Sequence, residues 1–413
     1  MPCSHVVPRG TFPRLCLGTM TFGWTSQTSS VVDEKVAFEM VERCLQYQSR
    51  TKNKTRENNS DDDDDDHDIS LSMDTARIYS QGVSERYCGN IASEWKMKYP
   101  HHQVLKIGTK AHPTGHALGL SPEGIQHQFQ ESCSLLQTST VDEYYLHQPD
   151  VRYPLEDSLR YINQLVQQGS VARYGLSNYH VSEVQRAFDL CELHHWTKPS
   201  LYQGLYNPLN RLVEEELIPL LEQHDCSFVA YNPLAGGLLS GKYEWTEDKE
   251  QQLPQQSSTT SPTIATNGRF LNNVNYIPRF YTRKNFKAMD IIKQACISEG
   301  LSMIEASFRW LLFHSALHVS SSRSSTIRLQ HGLLLGASSL QQLDENLCAC
   351  ETAQPLSTHV LKAMDEAWKL IKQQEDDGID PIFPYWRSYS LDMPNRDALP
   401  PGASYNYGTT VKT

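Results

Sequence analysis

Asp74, Tyr79, Lys110 and His147 are an acid, a phenol, an amine and an imidazole, and each stands at or just beyond the end of an apolar segment. Asp74 ends ISLSMD, Tyr79 follows in DTARIYSQG, Lys110 ends VLKIGTK and His147 ends DEYYLH. Singly, such a residue is more often a solvated rim group or a structural histidine. Four at successive segment ends point to one polar pocket. The chemistry they suit is proton donation to oxygen. Adding hydride to a carbonyl carbon leaves an alkoxide that must be protonated as it forms, so a positioned acid lowers the barrier. A free tyrosine, with a pKa near ~10, donates weakly at neutral pH. An ammonium about 4 Å away interacts with phenolate by roughly 4 kcal/mol at an effective dielectric of 20, whereas two pKa units need only about 2.7 kcal/mol. Lys110 therefore suffices to activate Tyr79 as the general acid. Asp74 holds that lysine charged and aimed, and neutral His147 binds the substrate carbonyl and orients it.

The elements that must position these residues are legible as a rhythm. Apolar or β-branched segments at 15–23, 69–74, 104–110, 142–147, 172–177, 200–205, 227–232 and 333–338 predict strands. Helical patterns fall between them, over 34–46, 122–136, 155–168, 182–194 and 214–223, with Ser121, Ser182 and Ser339 as N-caps. Eight such alternations predict an α/β fold, a closed (β/α)8 TIM barrel over 12–390 as a single domain. In that fold the active site gathers at the C-terminal strand ends, where the four residues stand. Residues 48–68 (QSRTKNKTRENNSDDDDDDHD) are too polar and charge-segregated to bury, and are expected to be a disordered acidic insertion. Residues 246–266 read as a flexible loop insertion, 318–328 as an interruption before strand eight, and 391–413 as an irregular tail.

A second set of motifs suits a phosphate-bearing ligand. Strand five ends in Ser177 and Asn178, and Gln203 lies in strand six. Strand seven runs through Tyr231 and Asn232 into a glycine-rich loop, YNPLAGGLLSGK, with Leu234, Gly236, Gly237 and Lys242. Loops after strands seven and eight are the habitual phosphate site of these barrels; glycines there permit close backbone approach, and Lys242 supplies positive charge. After strand eight, Gly336, Ser338 and Ser339 lead into a helix whose N–H groups and dipole favour an anion, with Gln342 and Asn346 on one face. No G-x-G-x-x-G follows a strand, so the Rossmann fingerprint is missing.

Composition bounds the alternatives. The chain has 413 residues, 39% hydrophobic, enough for a sizeable core, and a net charge of −11 of which the run Asp61 to Asp66 supplies six. That balance disfavours a nucleic-acid partner. No signal-peptide core or bilayer-length stretch is present, so no membrane association is expected and the reading is cytoplasmic. The ten cysteines form no pair of C-x-x-C clusters, and the acidic run lacks defined ligand geometry, so no metal is expected. A metal-dependent barrel hydrolase is the poorer reading because His and Asp at the strand ends are not grouped as ligands.

Taken in order, LGTMTFG, DTARIYSQGVSE, YYLHQPD, YGLSNY, YQGLYNP, AYNPLAGGLLSGKY, GRF and GASSLQQLDENL resemble the aldo-keto reductases, most closely the aflatoxin-aldehyde reductase (succinic semialdehyde reductase-like) branch, from about Leu15 to Arg387. The resemblance implies NADPH-dependent reduction of aldehydes and ketones, with NADPH (NADP+) as cofactor and Asp74, Tyr79, Lys110 and His147 as the catalytic tetrad. It implies nucleotide contacts from Ser177, Asn178 and Gln203, from the segment Tyr231 to Lys242, from Arg269 in GRF, and from the segment Gly336 to Asn346. It implies a substrate carboxylate bound by Tyr276, Arg279 and Arg387, a preference for carboxylated or dicarbonyl aldehydes, and a homodimer. The forked guanidinium suits a carboxylate better than an ammonium does. Some barrels of this superfamily are nucleotide-binding accessory or redox-sensor subunits with slight turnover; multiple turnover separates the two.

Overall fold

The computed structural model describes residues 10–25, 30–58, 69–99, 103–245, 270, 276–320, 329–351, 354–373 and 383–386. Eight parallel strands close a barrel. They are β1 (Arg14–Gly18), β2 (Ile69–Asp74), β3 (Gln103–Ala111), β4 (Val141–Leu146), β5 (Val171–Ser177), β6 (Leu201–Leu205), β7 (Ser227–Tyr231) and β8 (Gly332–Gly336), with β8 between β7 and β1. Each coincides with a segment expected from the sequence. The apolar runs of β6 (LYQGL), β7 (SFVAY) and β8 (GLLLG) suit a sheet buried on both faces. Outside the barrel, Gly10–Thr11 pairs antiparallel with Val319–Ser320.

Helices alternate with the strands: α1 (Glu34–Asn58), α2 (Val83–Lys98), α3 (Pro122–Leu136), α4 (Leu155–Gln167), α5 (Val181–Leu193), α6 (Leu217–Gln223), α7 (Arg283–Ser298), α8 (Met303–Phe313), α9 (Leu340–Glu351) and α10 (Thr358–Lys372). In α4 the buried residues Leu155, Ser158, Leu159, Ile162 and Leu165 recur at helical spacing, which fixes the face that packs on the sheet. Ser121 caps α3 as expected, its side chain accepting from the Gly124 N–H at 3.1 Å, and Ser339 accepts from Gln342 N–H at 3.2 Å at the start of α9.

Several expectations need correction. Helix α1 continues to Asn58, through the first half of the 48–68 segment read as disordered. Gln48 to Asn58 contains no proline or glycine and carries two Lys, two Arg, one Gln and one Glu, so nothing local stops the helix. Residues 59–68, 246–266 and 391–413 lie outside the described residues. The cap of α5 is His180, not Ser182: its Nδ1 accepts from Ser182 N–H, and it stands two residues before the serine that the pattern favoured. Leu212–Glu214 forms a separate 3-10 turn, so α6 starts at Leu217. Within 318–328, Val319 and Ser320 are in the antiparallel ribbon.

Contacts divide the chain into two compact units. One gathers the described residues within 15–204, 334–347 and 384–413; the other gathers those within 1–14, 205–333 and 348–383. The first contains β2 to β5, most of β1, and Asp74, Tyr79, Lys110 and His147.

Candidate active site

Asp74 and Lys110 form the base of the site. Strand β2 lies parallel to β3 with Asp74 opposite Gly108, which leaves room for the Asp74 carboxylate to reach the lysine two residues further along. Lys110 Nζ donates to both carboxylate oxygens at 2.7 Å and to the Thr75 carbonyl at 2.7 Å. The lysine is 0% exposed and Asp74 7%. Burial pushes the Asp74 carboxyl above the usual carboxylate range, and the Lys110 ammonium and a hydrogen bond from Gln203 oppose that push. Gln203 Nε2 donates to Asp74 Oδ1 at 2.8 Å.

Tyr79 enters through an unusual turn. Ser80 and Gln81 have φ of 48° and 56°, and Gly82 has φ of 91°, three left-handed residues in succession immediately after the tyrosine. The Ser80 hydroxyl donates to the Phe22 carbonyl at 2.8 Å and pins the turn to the loop after β1. The Tyr79 ring lies with its centroid 5.3 Å from Lys110 Nζ and 5.8 Å from the His147 ring, edge to face. His147 just beyond β4 is fixed at the backbone: its N–H donates to the Ala111 carbonyl at 2.9 Å and its carbonyl accepts from Asn178 Nδ2 at 2.9 Å. Tyr79 and His147 are half-buried while Lys110 is enclosed. The arrangement offers a phenol and an imidazole to a ligand and keeps the ammonium behind them.

The remaining expected residues fall as follows. Ser177 and Asn178 end β5, and Asn178, at φ 63°, bridges to Ser177 Oγ at 3.0 Å as well as to His147. Beyond β8, Ser338 donates through its N–H and hydroxyl to Gln342 Oε1 at 3.0 and 2.9 Å, and Asn346 Nδ2 reaches the Gly336 carbonyl at 3.3 Å. A Cβ on Gly336 would meet nothing within 4 Å, so the backbone there is open. In the other unit, Tyr231 ends β7, and Asn232 at φ 54° accepts at Oδ1 from the Tyr276 hydroxyl at 3.4 Å. Leu234 precedes a 3-10 turn in which Gly236 and Gly237 have φ of 67° and 97°. Exposed Lys242 lies over the Tyr243 ring at 5.0 Å. Arg279 is 3% exposed, stacks over Phe383 and Phe280 at 4.5 and 5.8 Å, and its Nε has no hydrogen-bond partner among the described residues. Arg269 and Arg387 lie outside the described residues.

Two partners of Lys110 escaped the sequence reading. Thr75 contributes only a carbonyl, which no residue pattern marks. Tyr145, whose ring centroid is 5.7 Å from Nζ, was detectable in principle because it stands two residues before His147 on a strand.

The profile of the family described as "Aldo/keto reductase family" matches residues 14–369. The chain belongs to the aldo/keto reductase family. Among similar members is aflatoxin B1 aldehyde reductase member 2 of Mus musculus, 37% identical over 309 residues, covering 73% of this chain and 77% of that protein. Another is aldo-keto reductase family 7 member A3 of Homo sapiens, 36% identical over 311 residues, covering 73% of this chain and 86% of that protein. A crystal structure of an aldo/keto reductase from Klebsiella pneumoniae in complex with NADP and acetate has a TM-score of 0.55 at 17% identity, over 88% of this chain and 94% of the other. As a likeness of fold it agrees with the barrel observed for this aldo/keto reductase. Among the described residues no group of three or more potential metal ligands clusters, and no helix is long and apolar enough to cross a membrane.

Proposed function

We propose that this aldo/keto reductase reduces aldehydes and ketones to alcohols with NADPH, Tyr79 donating the proton. The observation that carries the reading is the buried Lys110, held by both Asp74 oxygens at 2.7 Å with its ammonium against the Tyr79 ring. A phenol beside a permanently placed cation gives up its proton more readily than one in water. His147, half-buried and edge-on to Tyr79, is the second polar group that a carbonyl oxygen would meet, and it orients the substrate.

The residues present suit the nucleotide. Left-handed Gly236 and Gly237, the open backbone at Gly336 and the start of α9 are what a close-lying phosphate backbone needs. We assign its binding to Ser177, Asn178 and the Gly336–Asn346 segment, where Asn178 is held at φ 63° and Ser338 and Asn346 are fixed by hydrogen bonds at the start of α9. When bound, NADPH supplies the hydride. Gln203 we assign first to Asp74, which it helps to keep in place, with any cofactor contact coming from the rest of its amide.

For the substrate we favour aldehydes carrying a carboxylate. Arg279 is a buried guanidinium that no carboxylate neutralises among the described residues, and burying a charge is costly unless an anion pairs with it. The test is steady-state NADPH oxidation against succinic semialdehyde, nitrobenzaldehyde and a dicarbonyl, with Tyr79→Phe and Arg279→Leu alongside. The expected result is a loss of about 10²-fold or more in kcat for Tyr79→Phe on every substrate, with NADPH affinity retained. Arg279→Leu should raise KM for succinic semialdehyde selectively. Wild-type turnover in Tyr79→Phe would end the assignment of the acid, and equal effects on charged and neutral aldehydes would remove Arg279 from the substrate site.

A further inference from the structure

Beneath Lys110 the barrel contains a second polar group that the reaction as described does not use. Lys110 is in register with Tyr145, and Tyr145 with Gly175 on β5; two residues earlier on β4, Glu143 is in register with Gly108 on β3 and with Arg173 on β5. Residues in register share a face, so Glu143, Tyr145 and Arg173 lie on the face that bears Lys110. The Tyr145 hydroxyl donates to Glu143 Oε2 at 2.7 Å, and Arg173 donates to Glu143 Oε1 at 2.6 Å. Tyr145 is 0% exposed and Glu143 6%. Space for the pair comes from glycine: a Cβ at Gly175 would stand 2.8 Å from Tyr145 Cε1, and one at Gly108 3.2 Å from Glu143 Cβ.

The Lys110 ammonium thus lies between two aromatic rings, Tyr79 at 5.3 Å and Tyr145 at 5.7 Å. A buried ammonium needs every favourable contact to stay protonated, and a ring face supplies one without competing for its N–H donors. A phenol that donates to a carboxylate is richer in electrons than a free one. Arg173 holds the Glu143 carboxylate in place through its 2.6 Å contact. We propose that Tyr145, anchored by Glu143 and Arg173, is a positioning residue that keeps the Lys110 ammonium aimed at Tyr79. This rests on the assignment of Tyr79 as acid and Lys110 as its activator. The other titratable groups around the lysine are Asp74 from β2, which it binds directly, Glu85 from α2, which interacts with it electrostatically, and Tyr79, whose ring it faces; Glu143 acts on Asp74.

The readout is the alkaline limb of kcat/KM for nitrobenzaldehyde reduction. Activity needs both the Tyr79 phenol and the Lys110 ammonium protonated, so it falls as pH rises through the apparent pKa of the pair. Tyr145→Leu removes the ring and should move that limb to lower pH by about half a unit to one unit. Tyr145→Phe keeps the ring and should restore most of the shift. Glu143→Gln weakens the charged anchor of the Tyr145 ring and should move the limb in the same direction, which provides a second variant should Tyr145→Leu fail to fold. A limb that stays at the wild-type position in both Tyr145→Leu and Glu143→Gln overturns the proposal while leaving the acid assignment intact. A limb in the wild type that is unchanged by Tyr79→Phe overturns both.

Discussion

Lys110 has no exposed surface and meets two carboxylate oxygens, one carbonyl and two ring faces, so its role in stability can be separated from its role in chemistry. Replacing one member of a buried ion pair strands the other in low dielectric, at a cost of about 3–5 kcal/mol. Asp74→Asn and Lys110→Met should each destabilise by roughly that amount in urea unfolding. The double variant should be markedly more stable than the sum of the two predicts, because no uncompensated charge remains. All three should be nearly inactive. Additive losses of stability would show that the two residues do not act as a pair. The sequence displayed these residues at or just beyond strand ends, and that was sufficient to single out four that stand close together in the structure. It did not display Glu143 with Arg173, because that pairing depends on which residue of β4 stands opposite which residue of β5, and a shift of one position would send them to opposite faces.

At the scale of elements, the turn after Tyr79 carries the strongest local constraint. Gly82 has φ of 91°, and an added Cβ would lie 2.8 Å from both Arg77 Nη1 and Leu135 Cδ1. Gly82→Ala should cost about 1–3 kcal/mol in thermal unfolding and lower kcat as well, since the same turn delivers Tyr79. An unchanged kcat with lowered stability would mean that the tyrosine is placed by its ring contacts alone. Strand positions were readable to within a few residues because apolar runs bounded by polar ones are a strong signal, and α3 matched at both ends because Ser121 and Pro122 mark its start. The end of α1 and the cap of α5 were less legible. Polar residues such as those from Gln48 to Asn58 suit a helix as well as a loop, and a histidine is a rare cap whose role shows only in the His180 Nδ1 contact.

For the whole molecule, acid stability offers a distinct test. Burial lowers the His180 pKa from 6.5 to about 4. The ring stands edge to face with Trp386 at 4.7 Å, and the Tyr385 hydroxyl accepts from the neighbouring Val181 N–H at 3.2 Å. Between those two pH values the unfolded chain binds a proton that the native chain does not, so stability falls as pH drops from about 6.5 towards about 4. His180→Asn, which retains a capping acceptor, should flatten this part of the stability curve measured by denaturant unfolding at successive pH values. An identical slope would place the acid sensitivity elsewhere.

Barrel closure sets a schedule for synthesis. Strand β1 emerges among the first elements, yet its neighbour on one side is β8, the last strand of the barrel. At about 5–20 residues per second, the interval between them is on the order of 15–60 s. During that time β1 presents an unpaired edge of N–H and C=O groups to its surroundings, and an open edge is a template for pairing with other chains. Nascent chains stalled before Gly332 should therefore depend on ribosome-associated chaperones for solubility, whereas chains released after Gly336 should not.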